Sequence, residues 1–532
     1  MASSNQVLQN NLEYLSLNKI QRIGYKISHF FTNIPKKTSK AISSTPTKIR
    51  KRGIFITNIF RNIVEAFSFG DYKTRISFLV MGFGLFFKHQ IIRGTLYLAY
   101  ELFFIFFMIM IGGPAFSQLA SLGSLAQVNY TIMDPETLLD VHTSLFVDNS
   151  FTILLYSILA ILFILILVFL WYNQIRDTFN LQQKSYIGKF ASDKETLKNV
   201  LDKDYDKTLL LIPMAGLTIF TIIPIFMMIL IAFTDYDYLH VTPAKLFDWV
   251  GFYNLGQVFS ATGANSGTAF LNVFGQVLLW TILWAFFATF SNYFFGMIVA
   301  MIINIKGIKL KKLWRTVLIT TIAVPQFISL LLISFMFGDS SFSIVNSILF
   351  KLGWAESSIA WLSSTAYGAI IPKVVIILVN TWVGIPYTML ICTGLLMNIP
   401  EDLYESARID GASPARMYFK ITLPYMLFVT GPYLLSQFIG NLNNFNIIYL
   451  LSGGEPGFVY DVTNEVIPAA LLSSGVGKTD LLITWIYKLT TNTSYDYGLA
   501  SVLGIIVFAL VAFFSMIFYN NSNAVNNEEE FQ

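Results

Sequence analysis

Two stretches of this 532-residue chain place hydrogen-bonding side chains where the surrounding sequence is apolar. The first, NTWVGIPY, contains Asn380, Thr381, Trp382, Gly384, Pro386 and Tyr387. The second, QFIGNLNNFN, contains Gln437, Gly440, Asn441, Asn443, Asn444 and Asn446. Amides both donate and accept hydrogen bonds, as sugar hydroxyls do, and aromatic rings can cover a sugar's apolar face. Neither stretch holds a carboxylate to attract a cation. The chemistry they suit is recognition of a neutral polyhydroxyl ligand; hydrogen bonding between packed helices is the other use of the same groups. Cys392 is the single cysteine, which excludes an intramolecular disulfide and any multi-cysteine zinc or iron–sulfur site. His29, His89, His142 and His240 never pair at metal-ligand spacing. GVGKTD, residues 475–480, resembles the end of a phosphate-binding loop, but Leu472 stands where the first glycine is needed.

The elements that must position these residues follow from composition. Hydrophobic residues make up 55% and charged residues 12% of the chain, against roughly 25% charged in a soluble domain. Mean hydropathy is +0.61. This excludes a disordered chain and argues against a nucleic-acid binder or a soluble enzyme; the expected fold is an all-α integral membrane protein. A bilayer core takes about 20 mostly apolar residues per helix. Eight stretches qualify: 91–112, 151–173, 209–233, 272–304, 316–337, 369–396, 424–447 and 497–519. The fourth exceeds a simple crossing, the seventh is the most polar, and Pro325 with Gln326 kinks the fifth. Cytoplasmic loops retain Lys and Arg. Segments 1–90, 174–208, 305–315 and 397–423 hold 29 of them, whereas the alternate loops hold 4: Lys245, Lys351, Lys478 and Lys488. The alternation checks the span count and puts both termini in the cytoplasm of a multi-pass plasma-membrane protein.

The organisation expected is a basic tail with an amphipathic surface helix (1–75), an N-terminal two-span region (76–208), a six-span core (209–519) and a disordered tail (520–532). No secretory signal pattern is visible at the N-terminus. Seven basic residues and no acidic ones lie between Lys36 and Arg52, suited to anionic lipid headgroups. Within 54–69, Ile56, Ile59, Phe60, Ile63, Val64 and Phe67 have helical spacing, for a helix lying in the membrane surface or packed on the protein. Segment 76–90, with Lys88, His89 and Gln90, reads as a lead-in to the first span, not a ninth crossing. Glu101, inside the first span, is expected to pair with a neighbouring helix or a headgroup, or to sit protonated.

Loop 397–423 carries the most information. Residues 399–424 read IPEDLYESARIDGASPARMYFKITLP. The pattern predicts a short helix from Pro400, a left-handed turn at Gly411, and a second helix N-capped by Ser413 with Pro414 at its first position. Leu403 and Ala407 share one face of the first helix. The loop resembles the EAA loop of ABC-importer permeases, E-A-A-x3-G-x9-I-x-L-P, in Glu405, Ala407, Gly411, Ile421, Leu423 and Pro424, with Ser406 replacing one alanine. That resemblance implies docking in a groove on a separate ATPase subunit, with Glu405 meeting a basic residue there and Gly411 setting the angle between the two helices. ATP and magnesium would then belong to the partner, and this chain would have no cofactor and no catalytic residue.

The core, 209–519, resembles the larger permease subunit of maltose/maltodextrin importers through NTWVGIPY, the EAA loop, NLNNFNIIYLLSGGEP and TDLLITWIYKLT. It implies that Asn380, Gly384, Tyr387, Gln437, Gly440, Asn441 and Asn444 line the sugar path. It also implies a second permease subunit, two ATPase subunits and an extracytoplasmic sugar-binding protein as partners. Gly440 stands where the enteric family has a sugar-stacking phenylalanine and Gln437 where it has a serine. The 38-residue segment 234–271 lacks the large enteric insertion, so Trp485, Tyr487 and Tyr495 become candidates for contact with the binding protein or for interfacial anchoring. The alternatives are the same importer class for another oligosaccharide or polyol, a secondary transporter, or a membrane-embedded transferase, for which Asp410 is the nearest catalytic carboxylate. Broken helices and inverted repeats, which would favour the secondary transporter, are not visible in the sequence.

Overall fold

The computed structural model describes residues 59 and 61–521, apart from 125–126, 134–139, 147, 189–192, 194–197, 199–201, 203–204, 243–244, 260–266, 306 and 459–473. The basic stretch 36–52, part of the 54–69 helix and residues 522–532 of the C-terminal tail lie outside the described residues. Two compact units form: Met1–Gly113 with Leu159–Met214, and Pro114–Ile158 with Ala215–Gln532.

Among the described residues, six helices are long and apolar enough to cross a membrane: Ile91–Ser117, Ser150–Tyr186, Thr208–Ile231, Phe270–Asn304, Ala366–Leu396 and Tyr497–Ile517. A pair, Lys311–Ala323 and Gln326–Met336, bends by 89° between its halves. Pro325 is the N-cap of the second half, where its missing backbone N–H costs no intrahelical hydrogen bond. The seventh expected span, 424–447, contains a helix, Leu423–Leu442, with two prolines, two glycines, a glutamine and an asparagine. Its polarity keeps it out of the set that composition alone identifies. The architecture is that of a helical membrane protein. Its departure from all-α is an antiparallel hairpin, β1 (Gln127–Met133) and β2 (Asp140–Phe146), in register from Gln127↔Phe146 to Met133↔Asp140.

In the first unit, segment 76–90 is no crossing. Helices α1 (Tyr72–Ile76) and α2 (Phe83–Phe86) lie against α3 (Ile91–Phe107) and the distal part of α4 (Ser150–Tyr186). Side chains of α4 satisfy the backbone of the connecting turn. Trp171 Nε1 donates to Phe78 O at 3.0 Å, and Gln174 Nε2 donates to Ser77 O at 2.6 Å. Glu101 accepts the Met81 N–H at 2.8 Å, so its intramembrane carboxylate holds this turn. Residues 61–69 are helical, with Val64 and Phe67 exposed and Ala66 buried. Arg75 caps their last carbonyls, Phe67 O and Ser68 O.

The second unit is built on α5 (Tyr205–Leu217, of which Ala215–Leu217 lies here), α6 (Ile223–Ile231), α7 (Gly267–Asn304), α8 (Lys311–Thr320), α9 (Gln326–Met336), α10 (Ala366–Leu396), α11 (Glu401–Ile409), α12 (Pro414–Met417), α13 (Leu423–Leu442), α14 (Phe445–Leu451), α15 (Leu482–Thr491) and α16 (Tyr497–Asn521). Contacts fix the directions. Asn292 meets Gly384 and Thr388 meets Gly296, so α7 and α10 run parallel. A single return crossing must separate them, which makes the bent pair α8–α9 one span. Asn441 bonds Thr289 and Thr430 bonds Tyr293, so α13 runs antiparallel to both.

One end of this unit is closed by a buried knot. Asp480, fully buried, accepts Gly477 N–H at 2.7 Å, the Thr484 hydroxyl at 2.8 Å and Lys488 Nζ at 2.6 Å. Burial pushes its carboxyl up, and the adjacent Lys488 ammonium opposes that shift. Thr479 O accepts Trp280 Nε1, tying the knot to α7. The phosphate-loop-like residues are thus spent on internal bonds. Trp485 is also buried, donating to Ser474 Oγ, so a role in contacting a partner falls to other residues. Lys488→Met leaves a buried carboxylate uncompensated and is expected to destabilise the protein by about 3–5 kcal/mol. Adding Asp480→Asn should recover much of that loss; thermal melting in detergent reads both.

Candidate functional site

The predicted polar residues converge on the packing of α7, α10 and α13. Glycines bring α7 and α10 together. A Cβ on Gly384 would lie 2.3 Å from Asn292 Nδ2, and one on Gly296 would lie 2.6 Å from Thr388 Cβ. Small residues permit such close approach in membrane helices. Polar groups fill the seam. Ser291 Oγ and Thr381 Oγ1 are 2.7 Å apart. Asn441 donates to Thr289 Oγ1 at 3.0 Å, and its carbonyl accepts Trp284 Nε1 at 3.1 Å. Thr430 donates to Tyr293 Oη at 2.8 Å. A cavity of about 10 Å³, room for one water, lies among Thr289, Asn292, Thr388, Tyr433 and Gln437. The buried Asn380 Nδ2 and Asn292 Oδ1 have no protein partner.

The seven predicted path residues divide by environment. Asn380 and Asn441 are buried, and Gly384 packs directly on Asn292. Gln437 is half-buried beside the small cavity. Tyr387 and Gly440 are exposed, with open space around Gly440. Asn444 sits where the seventh span breaks. Leu442 ends α13, and Asn444 N-caps α14 by accepting Ile447 N–H at 3.4 Å while donating to Asn441 Oδ1 at 3.3 Å. The span is therefore broken at 443–444, contrary to the expectation of an unbroken span, whereas the bend at Pro325 falls where a kink is expected. Exposed backbone at membrane depth is tolerated where it lines a cavity or is buried in protein. A larger groove of roughly 570 Å³, lined by apolar residues such as Leu283, Phe287 and Leu378 with Lys373 over the Trp280 ring, contains none of the predicted path residues.

Sequence reasoning missed α7. Thr289, Ser291, Asn292 and Tyr293 form a polar run within a helix of 38 residues that is otherwise largely apolar. The test applied to the sixth and seventh spans, polar residues inside an apolar stretch, would have found it.

The loop matches its expected form closely. Helix α11 spans Glu401–Ile409 with Pro400 at its N-cap, so it begins one residue after the expected start at Pro400. Gly411 is left-handed at φ +71°, and Ala412 N–H closes on Ala407 O at 2.9 Å. Ser413 Oγ accepts Arg416 N–H and Pro414 opens α12. A π turn, Tyr418–Thr422, carries the chain directly into α13. Tyr404 Oη lies 2.8 Å from Thr422 Oγ1, bracing α11 against that junction. Glu405 and Gly411 are exposed, Leu403 is exposed on α11, and Ile409 is 86% exposed. Such an apolar surface on a polar loop suits docking.

Residues 292–524 match the family model described as binding-protein-dependent transport system inner membrane component. The maltodextrin transport system permease protein MalC of Streptococcus pneumoniae is 32% identical over 469 residues, covering 86% of this chain and 97% of that protein. The chain belongs to this family of transport permeases. The galactooligosaccharides transport system permease protein GanP of Bacillus subtilis is 34% identical across 68% of the chain and 81% of its own length. The maltose/maltodextrin permease protein MalF of Escherichia coli is 34% identical across 50% of the chain and 48% of its own length. The permease is a multi-pass membrane component of an importer and not an enzyme. The matched region contains α11, Gly411 and the whole α7–α10–α13 seam from Asn292 onward.

In this permease, Gly296→Ala is expected to cost about 1–3 kcal/mol, because its Cβ meets the Thr388 stem and the Met389 backbone. Gly384→Ala should cost a similar amount, but Asn292→Ala should relieve it, since the clash is with a side-chain amide alone. Melting curves of the two singles and the double variant check the distinction.

Proposed function

We propose that this chain is the transmembrane permease subunit of an ATP-driven importer for a neutral carbohydrate, a maltodextrin, with Asn380, Gly384, Tyr387, Gln437, Gly440, Asn441 and Asn444 along the sugar path. The observation that carries this is mechanical. The exposed helix–glycine–helix loop runs without a break into α13, and the amides lie at the far end of that helix. Glu405, Ala407 and Gly411 present the docking face, and Ile421, Leu423 and Pro424 join it to the helix. Docking of a separate ATPase subunit on the loop moves one end of α13 and so the amides at the other. The free energy comes from preferential binding of one permease conformation to the ATP-loaded partner.

The assembly comprises this chain, a second permease subunit, two ATPase subunits holding ATP and magnesium, and an extracytoplasmic sugar-binding protein, all in or at the plasma membrane. The distribution of Lys and Arg supports a cytoplasmic position for the loop and both termini. The contacts within the second unit support alternate crossing, since α7 and α10 run parallel and α13 antiparallel. The galactooligosaccharide relative supports a second reading within the same class, another neutral oligosaccharide as cargo.

ATP-driven uptake by the reconstituted importer tests the proposal. Gly411→Asp should leave the protein in the membrane and reduce uptake at least about tenfold, because a bulkier residue at φ +71° alters the inter-helix angle. Uptake at the wild-type rate would defeat the lever. Asn444→Ala should reduce uptake by removing both the amide and the α14 cap, whereas Asn444→Ser keeps a capping oxygen. Equal loss in both variants identifies the amide as the group that matters, and rescue by serine reduces Asn444 to a cap.

A further inference from the structure

Outward from the break at 443–444, three rings gather on a face that the fold leaves open. Phe445 and Tyr449, one turn apart on α14, stack with centroids 4.8 Å apart and planes 21° from parallel. Tyr487 of α15 meets both edge-on, at 4.8 Å from Phe445 and 5.2 Å from Tyr449. Tyr449 is 39% and Tyr487 37% exposed. Their helices are anchored on the opposite faces. Ile447, Ile448 and Leu451 bury α14, and Leu482, Trp485 and Leu489 bury α15. The rings are therefore held rigidly, with their free surface directed away from the core. The amides of Asn443 and Asn446 are exposed beside them.

We propose that Phe445, Tyr449 and Tyr487, with Asn443 and Asn446, form an outer carbohydrate subsite that holds the trailing residues of a neutral oligosaccharide whose leading end occupies the inner amides. This rests on the carbohydrate reading given above. Rings supply flat apolar area with little conformational entropy to lose, and the flanking amides supply both donors and acceptors. The five residues carry no ionisable acid or base other than phenol, so the ligand is uncharged. Gly440 contributes no side chain to the open face of α13, which leaves this cluster as the aromatic surface next along the chain. The break at 443–444 separates Gly440, near the end of α13, from Tyr449 on α14, so the two regions serve different sugar units. A membrane-interface anchor or a contact with a partner subunit would use rings as well, but neither calls for exposed amides on either side of Phe445 in the chain.

The test is uptake of maltose and of maltoheptaose, in parallel, by the complete importer in proteoliposomes with its binding protein and internal ATP. Tyr449→Leu/Tyr487→Leu should lower kcat/KM for maltoheptaose by about tenfold and leave maltose within about twofold. Tyr449→Phe/Tyr487→Phe should behave as wild type for both sugars. An equal fall for both sugars in the leucine variant, or no change for either, would overturn the outer subsite. A wild-type importer that takes up neither glucan nor any other neutral oligosaccharide would instead overturn the underlying carbohydrate reading.

Discussion

The close approach of α7 and α10 is the constraint on which the second unit depends. Two glycines set it, each one turn from the residue that meets the other: Asn292 against Gly384 and Gly296 against Thr388. Without a hydrophobic driving force between helices in lipid, such contact relies on dispersion and on hydrogen bonds made at short range. Ser291 and Thr381 reach each other only because the backbones are this close. The same approach leaves a water-sized cavity where α13 joins. Polarity in the seam is thus compatible with membrane burial because most of its groups are mutually satisfied.

Mechanical consequences follow from where α13 sits. At one end it continues into the loop through Tyr418–Thr422, and at the other it breaks at Asn443. Near the loop, Met426 packs with Tyr293, Met297, Ala300, Met389 and Cys392 in a buried cluster that joins α13 to α7 and α10. Near the break, Asn441 bonds Thr289 and receives Trp284. A torque applied at α11 is therefore delivered to all three helices together. The sharp bend at Pro325 lies outside this trio, in α8–α9, where the chain can change direction without disturbing the seam.

Much of this was legible in the residues. The cap at Ser413, the left-handed Gly411 and the kink at Pro325 are local backbone matters, decided by one or two residue types, and each holds. Span positions follow from apolar length, and the most polar span, the seventh, is also the one that composition cannot recover. What the sequence hid concerns partners in space. The polar residues of the seventh span mark Asn441 as lying inside the bundle but do not show that it bonds α7, and a polar run such as Thr289–Tyr293 looks unremarkable in so apolar a helix. Trp485 reads as an exposed loop aromatic until the buried cluster with Phe270, Val273 and Leu499 is seen to cover it. GVGKTD reads as a loop motif until Asp480 is seen to require Lys488. The 443–444 break is carried by asparagines that serve equally well inside a helix or at its end.

A disulfide across the seam tests most directly whether α7, α10 and α13 move as one body. Ser291→Cys and Thr381→Cys, in a Cys392→Ser background, place two sulfurs where hydroxyls now stand 2.7 Å apart. In the reconstituted importer, oxidation should leave ATP-driven uptake within about twofold of the reduced state, since no relative motion is needed at that point. Loss of uptake on oxidation, restored by reductant, would show that the helices must slide past each other and would contradict the rigid block.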